Sequence, residues 1–367
     1  MNEKQYTHLE INITHLLHNL RYFRSLLPPS TKLLVLAKAY AYGHGAGTFA
    51  RILETYGVNY LAVAHPSEGV AIRKAGVKIP ILVLSGCDAQ FPLCLEYDLG
   101  PGIATVESFC HYVEQAKQAG KKDAPAHIKL DTGMHRLGFQ SSQIPALLPH
   151  LDQPYVRIES VFTHLACATE PAFDNFTRSQ IACYDAGCQQ ILSALPYRPL
   201  RHVLNSGGIE RFGQEWAYDM VRLGIGLYGI SAVDNRLLKP TAFLRTPVLQ
   251  VKTIQQGETV GYSRQGKITE GPIESATLAV GYADGLNRHL GNGNLQVMLN
   301  GHLVPTIGNI CMDMSMVNVS GLDVKAGDMA TIFGENPTIG AIAEILNTIP
   351  YEILTSVNLR IPRVYKY

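Results

Sequence analysis

Between Thr31 and Gly229 the chain alternates eight short β-rich runs with longer segments of helical spacing, and that alternation leaves few folds open. The runs are KLLVLA (32–37), NYLAVA (59–64), PILVLS (80–85), PGIAT (101–105), AHIKL (126–130), RIESVFT (157–163), RHVLN (201–205) and DMVRLG (219–224). Helical segments lie between them: VESFCHYVEQAKQAG (106–120) puts Phe109, Val113 and Ala116 on one face, and FTRSQIACYDAGCQQILSAL (176–195) follows the same period. Eight such units predict a TIM barrel, whose usual length is roughly 250 residues. A doubly wound open sheet is the alternative that periodicity leaves open.

Past about residue 240 the pattern turns to β-rich pieces, PVLQVKTI (247–254), ESATLAVGY (274–282) and LQVMLNGHLVPTIG (295–308). The last carries an Asn300–Gly301 hairpin signal, and a helical IGAIAEILNTI (339–349) follows. The expectation is an α/β chain with a barrel over residues 1–240 and a mostly β domain over 241–367. The length of 367 residues suits two domains, because single cores stop growing at roughly 250–300 residues.

Lys+Arg number 31 against 30 Asp+Glu, so no field gathers polyanions and nucleic acid is not an expected partner. The seven cysteines are scattered and never form CxxC pairs, which argues against a disulfide framework and a zinc site; no metal is expected. MNEKQYTHLEINITHLL lacks the apolar core of an export signal, and no run of about 20 apolar residues could span a bilayer. The expectation is a cytoplasmic protein without a membrane partner.

Strand ends point into the mouth of a barrel, and Lys38 stands just after the first run, where an amine can bond covalently to a carbonyl cofactor. NSGG (205–208), after the seventh run, offers a hydroxyl and glycine amides, the parts of a phosphate cup. AKAYAYGHG (37–45) resembles the lysine motif of the alanine racemases, pyridoxal-phosphate enzymes built from a barrel and a β domain, and the resemblance extends along nearly the whole chain.

That resemblance implies the cofactor pyridoxal 5'-phosphate, held covalently by Lys38. Tyr42, Asn205, Ser206 and the backbone of Gly224 and Ile225 are implied around its phosphate, Arg222 at its pyridine nitrogen and His164 against its ring. HIKLDTGMHRLGF (127–139) places Arg136 at the substrate carboxylate and Lys129, carbamylated in many members, as the anion that holds that arginine. Lys38 is implied as one proton-transfer group and Tyr262 of TVGYSRQG (259–266) as the other, with Tyr262, His164 and Arg222 forming a relay. Tyr262 and Met312 of the triplet Cys311–Met312–Asp313 are implied to reach the partner subunit's site in a homodimer, Met312 at the substrate carboxylate, and Tyr282 is implied at the entrance. The implied reaction is interconversion of L- and D-alanine, supplying D-alanine for peptidoglycan.

Departures from the family pattern are specific. Tyr40 stands where an asparagine is usual, Leu359 where some members have a phosphate-binding tyrosine, and Asn309 and Thr169 where some have an arginine and an aspartate. Two other readings stand beside the main one: a racemase of broader specificity, acting on serine or basic amino acids, and a non-catalytic cofactor-binding barrel protein. The β domain with Tyr262 and the triplet argues against the second.

Overall fold

The structure is a computed structural model that describes residues 6–367; residues 1–5, the start of the N-terminal stretch read above, lie outside the described residues. It divides into two compact units. Strand β1 (His8–Asn12) is followed by the eight parallel strands of the barrel unit: β2 (Lys32–Leu36), β3 (Tyr60–Val63), β4 (Ile81–Val83), β5 (Gly100–Ile103), β6 (Ala124–Lys129), β7 (Val156–Phe162), β8 (Leu200–His202) and β9 (Met220–Leu223). Each matches one of the eight runs.

Their order is β8-β7-β6-β5-β4-β3-β2-β9, which leaves β8 and β9 at the two ends of the sheet. Asp219 N donates to Arg201 O (3.2 Å) and Arg222 N to Leu204 O (2.9 Å), so those ends meet and the sheet is a nearly closed barrel, not an open one. Strands β3, β4 and β9 are buried at every position, as parallel strands covered on both faces must be. On the helix Val106–Gln118 the buried residues are Phe109, Tyr112 and Ala116, so the inner stripe runs through Tyr112 where the spacing suggested Val113. The Tyr112 hydroxyl reaches Pro125 O (3.1 Å), which lets the bulky ring be buried without an orphaned polar atom.

Among the described residues the second unit comprises 6–18, Tyr42–His44 and Lys239–Tyr367. Its strands are β10 (Ala242–Ile254), β11 (Thr259–Val260), β12 (Gly266–Lys267), β13 (Ile273–Leu278), β14 (Gln296–Leu299), β15 (His302–Pro305), β16 (Ser315–Asn318), β17 (Met329–Phe333) and β18 (Arg363–Lys366). The main sheet runs β15-β14-β17-β10-β1-β18, with β13 branching from the long β10 and β16 pairing with β13. At the N-terminal end β1 pairs with β10 and β18 in this sheet. Asn300 (φ 48°) and Gly301 (φ 83°) turn β14 into β15, the positive pair that a two-residue hairpin needs. No helix among the described residues is long and apolar enough to cross a membrane.

Candidate active site

Lys38 follows β2 and begins a turn in which Ala39, Tyr40, Ala41 and Tyr42 all have φ between 51° and 56°. Left-handed backbone costs a non-glycine residue roughly 1–2 kcal/mol, so this run is held by its surroundings. Glu68 supplies one anchor: its Oε1 accepts from Ala39 N (2.6 Å) while Oε2 accepts from Ala64 N (2.8 Å) and His65 N (3.1 Å). Ala41 N also donates to Ala37 O (3.0 Å) and Gly45 N to Tyr40 O (2.9 Å). Asparagine tolerates this conformation better than most residues, which gives a physical reason for its usual place at the position of Tyr40. Tyr40→Val is therefore expected to melt about 2–6 °C below Tyr40→Asn, both having lost the ring and only one being β-branched. Equal thermal midpoints would remove strain as the reason.

Lys38, Lys129, Arg136 and Arg222 act on one another in the barrel mouth. Burial lowers the pKa of Lys38, with the Arg136 guanidinium adding to it. Burial, then Arg136 and Arg222, brings Lys129 down to about 8. Among the described residues no carboxylate stands at ion-pair distance from any of the four. The carboxylates they feel are already engaged, Glu68 as described and Asp131 with Gly133 N (3.2 Å) and His135 N (2.9 Å). Gly138 closes the Arg136 loop back on β6, where a Cβ would stand 2.6 Å from Asp131 N and Phe139 N donates to Lys129 O (2.8 Å). The result is a cluster of cations that lacks its own counter-ions and is built to receive anions.

Arg222 is 3 % exposed and is satisfied without any acid. Nη2 donates to Thr163 O (2.6 Å), Val203 O (2.9 Å) and His164 Nδ1 (3.4 Å), and Nη1 to His202 O (3.1 Å) and His202 Nδ1 (2.9 Å). A guanidinium only donates, so both histidines accept through Nδ1 and carry their proton on Nε2. His202 passes that proton's bond to Ser160 Oγ (2.8 Å), leaving the serine to donate to His127 Nδ1 (2.6 Å). Burial first, and then the Arg222 charge, holds His202 far below the usual histidine range, and burial and the same cations bring His164 to about 3. Both are neutral near pH 7. Nε of Arg222 makes none of the five bonds.

Ser206 opens the helix Ser206–Trp216, whose cap is Asn205: its Oδ1 accepts from Gly208 N (2.9 Å). Ser206 Oγ accepts from Gly224 N (2.9 Å) and Gly226 N (3.2 Å), so its hydroxyl proton is free to donate outward. A Cβ on Gly207 would stand 2.4 Å from Thr169 Cγ2, so the cup requires glycine there. This hydroxyl, the Gly207 amide and the backbone at Ile225 fit a phosphate, while Gly224 N is already engaged by Ser206 Oγ and Gly208 N by the Asn205 cap. Tyr42 groups with the other unit, where its ring lies 5.9 Å from that of Tyr351.

In the β unit Tyr262 sits in the loop between β11 and β12 and is 70 % exposed. Asn309 props that loop: it is buried, donates through Nδ2 to Tyr262 O (3.0 Å) and accepts from Asn292 Nδ2 (3.1 Å). Met312 and Met314 are exposed as well and line a pocket of about 540 Å³ with Tyr262, Cys311 and Asp313. Tyr282 is partly exposed, and its N–H donates to Cys311 O (3.0 Å). Leu359 is exposed. No group of three or more His, Cys, Asp and Glu among the described residues is placed to hold a metal.

From the sequence, Glu68, His202, Ser160 and His127 were not singled out. Each stands in an ordinary strand or helix pattern, and only the tertiary structure aligns them.

Comparison with known proteins matches the same plan. The family model described as alanine racemase, N-terminal domain, covers residues 11–232, and that described as alanine racemase, C-terminal domain, covers 241–365. A protein of Synechocystis named alanine racemase is 36% identical over 98% of this chain and 99% of its own. The structure of alanine racemase from Clostridium difficile superposes with a TM-score of 0.92 at 34% identity, covering 98% of this chain and 95% of that one. That of Bartonella henselae, with covalently bound pyridoxal phosphate, gives 0.85 at 28% identity, over 98% and 99%.

Proposed function

The chain belongs to the alanine racemase family, and from that premise we propose that it interconverts L- and D-alanine with pyridoxal 5'-phosphate, as a cytoplasmic homodimer supplying D-alanine for peptidoglycan. One observation carries this beyond the family name: four cationic side chains, among them the strand-end Lys38, gather in the barrel mouth with no acid among the described residues at ion-pair distance. A phosphate and a substrate carboxylate are the anions such a site suits.

Pyridoxal phosphate, when bound, draws electrons from the substrate α-carbon and so acidifies its hydrogen. Ser206 Oγ and the Ile225 backbone would hold the phosphate, with Gly224 N bracing the serine from behind, and Lys38 Nζ would be the amine that carries the cofactor. Arg222 Nε would meet the ring nitrogen; as a permanent donor it would keep that nitrogen unprotonated, which would favour return of the proton to the α-carbon over its loss elsewhere. Lys38 Nζ moves a proton on one face of the α-carbon. Its lowered pKa makes the neutral amine easier to reach near pH 7.

A single base tends to return the proton to the face it left, so racemisation needs a second group opposite. We assign that role to Tyr262 of a second copy. Its exposure beside Met312 and Met314 supports a surface that a partner covers. His164, neutral and with Nδ1 occupied by Arg222, keeps Nε2–H to donate to a phenolate oxygen. Arg136 and the Met312 amide bind the substrate carboxylate, and Tyr282 limits its side chain.

Lys129 would carry a carbamate. Only a neutral amine adds carbon dioxide, and with a pKa of about 8 a useful fraction of Lys129 is neutral at physiological pH. The product is an anion beside Arg136, which removes the repulsion between them. Enzyme prepared free of carbon dioxide at pH 6 is expected to lose activity by about fivefold or more and to regain it on adding bicarbonate at pH 8. Density for a plain ammonium at Lys129, or activity indifferent to bicarbonate, would contradict the carbamate.

The function itself is checked by purifying the protein with pyridoxal phosphate and following loss of optical activity from L-alanine, L-serine and L-lysine. Alanine is expected to exceed the others in kcat/KM by about tenfold or more. Equal activity on all three would defeat the alanine assignment.

A further inference from the structure

Two loops of the β unit carry groups assigned above to the substrate, residues 281–285 with Tyr282 and residues 311–314 with Met312. They are bound backbone to backbone: Tyr282 N donates to Cys311 O (3.0 Å) and Ala283 N to Met312 O (2.9 Å). Nothing fits between them, since a Cβ on Gly281 would stand 2.3 Å from Met312 O.

A third segment ties both loops through one side chain. Arg360 Nε donates to Asp284 Oδ1 and Nη2 to Asp313 Oδ1, each at 2.7 Å. The two arms differ in kind. Asp284 is 4 % exposed; its Oδ2 accepts from Gly281 N (2.9 Å) and its carbonyl from Asn358 N (3.1 Å), so this arm anchors Arg360 to the turn that presents Tyr282. Asp313 and Arg360 are half exposed, so the outer arm, next to Met312, is open to water and to screening by salt. Arg360 itself is held at its base, where its N–H donates to Asn358 Oδ1 (3.0 Å). A guanidinium spans two carboxylates with donors in fixed directions, which a lysine ammonium does not.

We propose that Arg360 is a positioning residue for substrate binding, a bridge that fixes the Met312 amide relative to the Tyr282 ring and thereby sets both the affinity for alanine and the largest side chain admitted. This rests on the assignment of Met312 and Tyr282 to the substrate in the proposed function. The bridge touches no reacting atom, so it acts on binding and leaves the proton transfers alone.

Arg360→Gln keeps length and one hydrogen bond but loses the charge and the fork. With the cofactor-loaded enzyme it is expected to raise KM for alanine about 5- to 20-fold while kcat stays within about threefold, and to raise the serine-to-alanine ratio of kcat/KM severalfold. Arg360→Lys recovers part of the loss. In the native enzyme KM rises as salt is increased from about 0.05 to 0.5 M, because the outer arm is screened, whereas in Arg360→Gln it is flat. Should Arg360→Gln fail to fold, Asp313→Asn removes only the exposed arm and is expected to raise KM about 2- to 5-fold with the same loss of salt dependence. KM within twofold of native in a folded variant, or a loss confined to kcat, would overturn the bridge while leaving the functional proposal standing. A native enzyme inactive on alanine would overturn both.

Discussion

Replacing Lys38 with alanine is expected to lower kcat for alanine by about 10,000-fold or more and to abolish the visible absorbance of the covalently held cofactor. In the proposed mechanism two losses combine in that number, the covalent bond and one of the two proton-transfer groups. Lys38→Arg separates them from charge alone: it keeps a cation in the cluster, but a guanidinium that stays protonated neither forms the bond nor takes a proton. Both variants are expected to be equally inactive. Neither should unfold the protein, because Lys38 makes no ion pair among the described residues and the turn behind it is held by Glu68 through Ala39 N. An Lys38→Arg enzyme with more than about a tenth of native activity would mean that Lys38 serves only as charge.

The second large effect is expected at Tyr262. Tyr262→Phe removes one oxygen from a side chain that is 70 % exposed, so the thermal midpoint should hold while kcat falls by about 100- to 10,000-fold. The loss should also be lopsided. With α-deuterated substrates, the direction that needs Tyr262 to abstract the deuterium is impaired unequally from the direction that needs Lys38 to do so. Unchanged kinetics in both directions would rule Tyr262 out as a base. His164 predicts a companion effect: it is neutral because burial and four cations disfavour its charge, and that neutrality leaves Nε2–H as a donor.

Much of this was legible in the sequence. The barrel strands announce themselves because parallel strands are apolar runs bounded by polar turns, and all eight appear where the runs lie. The hairpin at Asn300–Gly301 is legible for a local reason, since those two residues tolerate positive φ. β1 is less legible: HLEIN is a five-residue strand whose partners, β10 and β18, lie more than 200 residues away. The left-handed run at Ala39–Tyr42 cannot be read from alanines and tyrosines, which favour ordinary conformations; contacts such as the one with Glu68 impose it. The chain Arg222–His202–Ser160–His127 is hidden for another reason. Its members sit on β6, β7, β8 and β9, and only the barrel's register brings them into line. Asn309 is a departure from the family pattern that becomes intelligible only in three dimensions, as the prop beneath Tyr262.

The central claim is that each site joins Lys38 of one copy to Tyr262 of another, and mixing two inactive variants tests it directly. Lys38→Ala and Tyr262→Phe chains, unfolded together at equal ratio and refolded with pyridoxal phosphate, form mixed dimers in which one of the two sites has both residues intact. Random pairing makes half the dimers mixed, so activity should return to about a quarter of the native value. If both residues instead served a site within one chain, no pairing could restore it, and a mixture no more active than its two parents would contradict the account.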